Sequence, residues 1–360
     1  MRNRFWIPTA ALALCVGPAL AQTLSPGYEI ARWHDFRPAA ISHTFDDNLP
    51  NQLAIAVPLF DEFGLKLTLF ALTDNASSWA RPNWPGMQAA AANGHEIASH
   101  TVTHVRLPDV TMDQQRTELR ASADSIAARI PEQQGLTLAY PFCVVGDNAM
   151  TAEYYIAARG CQGAIERATP ADMLNISSIV VGSQGSVQNA AQLNARSDAA
   201  VSSGGWAVFL THGIDNDGGY SPIPSAELRA HVEYLAENQD RFWVETFGNV
   251  VRYIRERDAA SVVEESADEN RLVVQVTDDL DDTIYDHPIT LRRALPEGWA
   301  NVTVTQDGEP VRQRLLDEDG ARYVIFDATP DAGDVAIDKA DNTGLGDRDG
   351  VRPEQPARIG

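Results

Sequence analysis

Positive charge is scarce in this 360-residue chain: 28 Lys and Arg stand against 50 Asp and Glu, for a formal net charge of −22 and a pI of about 4.6. So acidic a chain is repelled by nucleic acid and by anionic membrane surfaces, which excludes both as partners. A small molecule or a neutral polymer remains as substrate. Long apolar runs are also missing. The early run Ala10 to Val16 is too short to cross a bilayer, and no later segment reads as a transmembrane helix. With Arg2 and Arg4 before it and Ala19-Leu20-Ala21 after it, residues 1–21 read as an export signal. A mature chain from Gln22, periplasmic or extracellular, is expected. A lipoprotein reading through Cys15 suffers from Leu14, where a small residue belongs. Cysteine is the third scarcity. Cleavage leaves Cys143 and Cys161, which an oxidising compartment permits to pair if their strand ends meet.

What is present is ample apolar content, 44% of residues, enough for one large domain and a smaller one. From Ala39 to about Asp258, strand and helix patterns alternate. Expected strands are Ile41–Phe45, Lys66–Leu72, His95–Ser99, Leu136–Tyr140, Gln162–Glu166, Ile176–Gly182, Trp206–Thr211 and Arg241–Glu245. Between them, Asn51–Phe63 reads as a helix kinked by Pro58, and Thr111–Ile130 as a helix opened by a Thr111/Gln114 capping box. Repeated βα units imply an α/β domain on a parallel sheet or barrel, with chemistry at the carboxyl ends of its strands. Domain one should span 22–260. The acidic stretch 261–269 reads as a linker, 270–338 as a small β-sandwich-like domain with a turn at Asp307-Gly308, and 339–360 as a disordered tail.

Three motifs carry chemistry. "ISHTFDD" ends an apolar strand in Asp46 and Asp47, two carboxylates that repel unless a cation compensates them. "EIASHTVTHVRL" runs a second strand into His100 and His104, whose i, i+4 spacing on a helical turn would put two imidazoles within reach of one ion. Two His and one carboxylate leave a coordination position open, and the remaining aspartate is free to act as a base towards water. In "WAVFLTHGID" a third strand ends at His212, placed to protonate a leaving group.

In this order and at strand ends, "TFDD", "HTVTH" and "LTH" resemble the polysaccharide deacetylases of the NodB-homology, carbohydrate esterase 4 type, over about Ala39 to Asp258. The resemblance implies a distorted (β/α)7-type barrel and one divalent metal per chain, with Zn2+ best suited to the ligand set. It makes Asp46 the catalytic base, Asp47, His100 and His104 the metal ligands, and His212 the general acid. Leu210 would line the pocket for the acetyl methyl. Pro141 and Phe142 match the end of an Arg-x-Pro-Tyr motif, so the Phe142 N–H would help hold the oxyanion. Ala139 stands where the family has an Arg that orients the base, and the acidic partner of that Arg is not evident either. Arg167 and Arg196 are candidate substitutes.

Tyr140, Tyr220, Trp79 and Trp84 are candidates for stacking on sugar rings near the barrel mouth. The implied activity is metal-dependent removal of acetyl groups from a glycan. Its substrate is an N-acetylglucosamine polymer such as chitin or peptidoglycan, or an O-acetylated xylan-type chain. Two other readings are a catalytically weak carbohydrate-binding protein on the same fold and a metal amidase acting on a non-sugar amide.

Overall fold

The computed structural model describes residues 23–74, 80–133 and 136–340. The export signal, Trp79 and residues 341–360 of the expected tail lie outside them. The described residues form two compact units, one of 31–259 with 279–289, the other of 23–30, 260–278 and 290–340.

Strand β1 (Tyr28–Ile30) belongs to the second unit. Eight parallel strands then build the first: β2 (Ala39–Asp46), β3 (Thr68–Ala71), β4 (Glu96–Ser99), β5 (Thr137–Ala139), β6 (Ala157–Arg159), β7 (Ile179–Val180), β8 (Trp206–Thr211) and β9 (Phe242–Val244). Seven lie in the order β6-β5-β4-β3-β2-β8-β7. A bridge between Arg159 and Ile176 brings the two ends of this curled sheet together, as a distorted barrel requires. Strand β9 pairs the first residues of β2, whereas β3 pairs its last.

One expected strand moves. Residues 162–166 carry only an isolated bridge, and the strand is Ala157–Arg159. Gly163, at φ +80°, breaks the later run. The true strand is short and alanine-rich, so it gave little β-branched signal.

All eight residues of β2 are buried, yet they divide by period two. Ile41 and Phe45 enter the apolar layer shared with Phe60, Phe209 and Leu228. Ser42 and Thr44 point the other way and are satisfied by backbone. The Ser42 hydroxyl donates to Glu245 O at 2.8 Å and that of Thr44 to Phe209 O at 2.7 Å. Asp46 continues this inner row.

The segment after β2 is a π-helix, Gln52–Ala56, followed by an α-helix, Val57–Glu62. The backbone stays helical across the junction, and Pro58 sits just where the π-helix gives way to the α-helix. The helix Met112–Ala127 carries the expected capping box, with the Thr111 side chain accepting from Gln114 N.

In the second unit the expected linker is absent. Residues Ser261–Ala267 are strand β10, hydrogen-bonded antiparallel to β11 (Arg271–Thr277). Of its two acids, Glu265 is exposed and Glu264 pairs with Arg293 at 2.9 Å. The others are β12 (Ile289–Ala294), β13 (Asn301–Gln306), β14 (Glu309–Pro310), β15 (Gln313–Glu318), β16 (Ala321–Ala328) and β17 (Val335–Ala340). They form antiparallel sheets of order β1-β12-β16-β15 and β10-β11-β17-β13-β14. Asp307 and Gly308, both at positive φ, make the tight turn from β13 to β14. The boundary at 260 is also less simple than expected, because 279–289 returns to the first unit, where His287 N donates to Glu256 Oε1 at 2.8 Å.

One buried polar pair in the first unit is testable. His43 Nε2 lies 3.2 Å from His231 Nε2, and His231 Nδ1 lies 2.6 Å from Asn194 Oδ1. Burial pushes the His43 imidazole down to about 3 and that of His231 well below its ordinary range. The unfolded chain therefore binds more protons than the folded one below pH 6.5, and stability is lost as pH falls from there towards 3. The stability advantage of wild type over His43→Leu, read by urea melts, should shrink by about 1.4 kcal/mol per pH unit below 6.5. A pH-independent difference would contradict a neutral buried ring.

Candidate active site

Neighbouring residues in a strand point to opposite faces, so Asp46 and Asp47 should diverge. They do not, because the chain leaves β2 through left-handed backbone at Asp47 (φ +80°) and Asn48 (φ +57°). Asp and Asn tolerate that region better than other non-glycine residues. The turn is stitched by the Asn48 amide, which donates to Leu72 O at 2.8 Å and Ala80 O at 2.7 Å. Both carboxylates then approach one imidazole: His100 Nε2 is 3.7 Å from Asp46 Oδ2 and 3.4 Å from Asp47 Oδ1.

His100 and His104 are not on a helical turn. They lie on an irregular loop after β4, with His104 at φ +63°. Glu118, on the helix Met112–Ala127, holds that loop by accepting from Val102 N at 2.8 Å and Thr103 N at 2.9 Å. The loop brings His104 Nε2 to 3.5 Å from Asp47 Oδ1. From the end of β8, His212 Nε2 reaches 4.0 Å from Asp47 Oδ2. Gln52, which the sequence did not flag, joins two of these elements. Its side-chain amide donates to Asp46 O at 2.5 Å and His212 O at 3.1 Å.

The cluster fits a divalent cation. One ligand atom each from Asp47, His100 and His104 lies within 4.8 Å of the others. His100 Nδ1 is 2.8 Å from Ala139 O, which commits that nitrogen as the donor and leaves the Nε2 lone pair facing the Asp47 carboxylate. A lone pair facing an anionic oxygen calls for a cation between them. Asp47 Oδ1 is buried and has no hydrogen-bond partner among the described residues. Electrostatics agree. Burial opposes ionisation of Asp47, but His100, His212 and His104 reverse this and hold it at about 2. Burial, with His100 beside it, pushes His104 down to about 4, so its nitrogen is available as a ligand. Burial also lowers His212. It opposes protonation of His100 too, yet Asp46, Asp47 and the Ala139 carbonyl raise that group.

Asp46 has a partner that sequence reasoning missed. Arg159 Nη2 lies 2.7 Å from its Oδ1 and 2.5 Å from its Oδ2. Asp46 is thus not without a cation, and neither Arg167 nor Arg196 supplies it; Arg196 donates to Gly163 O instead. The available signal was a lone Arg closing the apolar run Tyr155-Ile156-Ala157-Ala158, hidden by the misplaced strand.

The aromatic residues separate sharply. Among described residues, the two exposed large aromatic side chains are Phe142, 55% exposed, and Tyr220, 56% exposed. Both lean on histidines of the site, with ring centroids 4.5 Å from His104 and 5.1 Å from His212 respectively. Phe142 sits on left-handed backbone with Cys143, and Cys143 is disulfide-bonded to Cys161. Tyr140, expected at the mouth, is instead buried with Leu107, Leu119 and Met150, because it shares the outward face of its strand with Leu138. Arg129 covers the Trp84 ring at 4.6 Å, so that ring is used in packing. Leu210 is buried two residues before His212.

The model of the family described as polysaccharide deacetylase matches residues 34–157. These residues belong to the polysaccharide deacetylase family. Over 331 residues, 86% of this chain, the sequence is 32% identical to a gellan lyase from Bacillus sp., of which the match covers 13%. A Bacillus subtilis (strain 168) protein provisionally named a polysaccharide deacetylase is 29% identical over 98 residues, 27% of this chain and 35% of that one. The chain therefore spans well under half the length of either relative. A Mycobacterium smegmatis structure bearing the same provisional name is 17% identical, with TM-score 0.49, covering 69% of this chain and 98% of that one. The deacetylase-family segment ends before β7, so it contains Asp46, Asp47, His100 and His104 but not Arg159 or His212.

If the three donors hold an ion, purified protein should contain about one equivalent of divalent metal. Elemental analysis should find most of it lost from His104→Ala. Full metal content in that variant would contradict this ligand set.

Proposed function

We propose that this chain is an exported, metal-dependent deacetylase acting on a polysaccharide or oligosaccharide. The observation that carries the proposal is the meeting of Asp47, His100 and His104 as a three-donor set with a second, separately held carboxylate, Asp46, beside it. A divalent ion on those donors, zinc by ligand preference, supplies Lewis acidity towards a carbonyl oxygen and acidifies water. Asp46 takes the proton from the water that attacks the acetyl carbon. The Phe142 N–H donates to the oxygen on which negative charge develops. His212 returns a proton to the departing amine or alcohol. Leu210 lines the wall against the methyl group. Tyr220 offers a stacking face to a sugar ring beside His212.

Support for a carbohydrate polymer comes from the family and from the exposed Phe142 and Tyr220 rings. The relative named a gellan lyase is itself a polysaccharide-processing protein by name. Its lyase activity is not carried over, since the match covers 13% of it. The Cys143–Cys161 disulfide favours an oxidising compartment and so an exported chain.

Acetate release from a panel of N- and O-acetylated oligosaccharides tests the proposal. Wild type should release acetate from at least one. Asp46→Asn should keep its metal and lose about 10²–10⁴-fold in kcat at any metal concentration. Asp47→Asn should recover in part as metal is raised. The reverse pattern would exchange the two roles, and a silent wild type across the panel would overturn the activity.

A further inference from the structure

We propose that Arg159 decides the division of labour between the twin aspartates: by occupying both oxygens of Asp46 it keeps that carboxylate off the cation and aims it at water. The inference rests on the deacetylase reading above. Two adjacent carboxylates within 4 Å of His100 Nε2 are otherwise equivalent candidates for the ion. Asp47 Oδ1 has no hydrogen-bond partner among the described residues, whereas Asp46 is held at 2.7 and 2.5 Å by one guanidinium nitrogen. An anion already committed to a guanidinium is a poorer ligand for a second cation.

Arg159 reaches Asp46 from a strand next to the family's usual position. Ala139 and Arg159 are register partners in the parallel pairing of β5 with β6. Neighbouring strands lie about 4.8 Å apart, so a long side chain from either position can serve the same point. Leu138 and Ala158 face outward into the satellite core, which turns Ala139 and Arg159 to the inner face. No second acid meets the guanidinium, and its Nε is buried without a hydrogen-bond partner among the described residues. Its Nη1 donates to Ser178 Oγ at 3.1 Å, and the Ser178 hydroxyl donates to Gly160 O at 2.6 Å. Its carbon lies 5.0 Å over the Phe70 ring. One residue beyond Gly160, the Cys143–Cys161 disulfide ties the end of β6 to the Phe142 turn. Arg159 thus supplies Asp46 with a guanidinium although Ala139 carries none.

Arg159 and Asp46 have side chains 2% and 4% exposed, so removing one charge leaves the other buried and unpaired and threatens folding. The test therefore uses three variants: Arg159→Met, Arg159→Met with Ala139→Arg, and Arg159→Lys. Two readouts are taken, steady-state kinetics on the acetylated oligosaccharide that wild type accepts, and titration of metal-free protein with Zn2+ alone. Arg159→Met should lose about 10–100-fold in kcat with KM little changed, the size expected of a supporting partner. It should also bind Zn2+ more tightly than wild type, because Asp46 is released to join the ligands and a neighbouring cation is gone. Adding Ala139→Arg should return both readouts towards wild type. If Arg159→Met does not fold, Arg159→Lys carries the test, with a smaller kcat loss and the same direction in Zn2+ affinity. Folded variants with wild-type kcat overturn the proposal. So does a kcat loss accompanied by weaker Zn2+ binding, the signature of mere loosening. Wild type that releases no acetate would instead overturn the deacetylase reading, whatever the titration shows.

Discussion

Two like charges on adjacent residues, both buried at the end of one strand, are the constraint on which the site depends. Asp46 and Asp47 are 3% and 8% exposed, so water does little to screen them from each other. The surroundings treat the two differently. Arg159 pairs with Asp46, His100 stands within 4 Å of both, and His104 and His212 turn their Nε2 atoms to Asp47 alone within 4 Å. Much of the local backbone serves this separation: the left-handed turn at Asp47 and Asn48, the Gln52 amide spanning two carbonyls, and the Glu118 clamp on the His104 loop. Left-handed non-glycine residues cost about 1–3 kcal/mol each, and the side-chain hydrogen bonds around them offset that strain.

The disulfide adds a covalent element to the same arrangement. Cys143 and Cys161 are 18 residues apart in sequence, and closing such a loop stabilises a fold by about 3 kcal/mol in the chain-entropy model. Its position matters as much as its energy. One cysteine follows Phe142 directly and the other lies two residues beyond Arg159. The bridge therefore joins the exposed ring beside His104 to the strand that holds Asp46.

The meeting of Asp47, His100 and His104 was legible in the sequence because strand ends are easy to mark when apolar runs stop at Asp or His. The barrel was legible for the same reason, through β2, β3, β4 and β8. What was hidden depended on pairing. Arg159 matters only because its register partner is Ala139, and an alanine-rich strand of three residues does not announce a register. Tyr140 read as a mouth residue because it adjoins Pro141. Strand alternation sends it outward instead, beside Leu138. The acidic stretch 261–269 read as a linker from its charge alone, although in β10 Glu265 is exposed and Glu264 finds Arg293 on another strand. His100 and His104 converge as expected, but through a loop fastened by Glu118, a contact between segments that spacing alone does not encode.

The central claim is that water, deprotonated with the help of Asp46, attacks an acetyl carbon at a metal-dependent centre. Hydrolysis of an acetylated oligosaccharide in ¹⁸O-labelled water tests this most directly, with and without prior chelation. The account predicts one labelled oxygen in the released acetate, none in the glycan, and no release after chelation until a divalent metal is restored. Label in the sugar, an unsaturated sugar product, or undiminished release after chelation would contradict it.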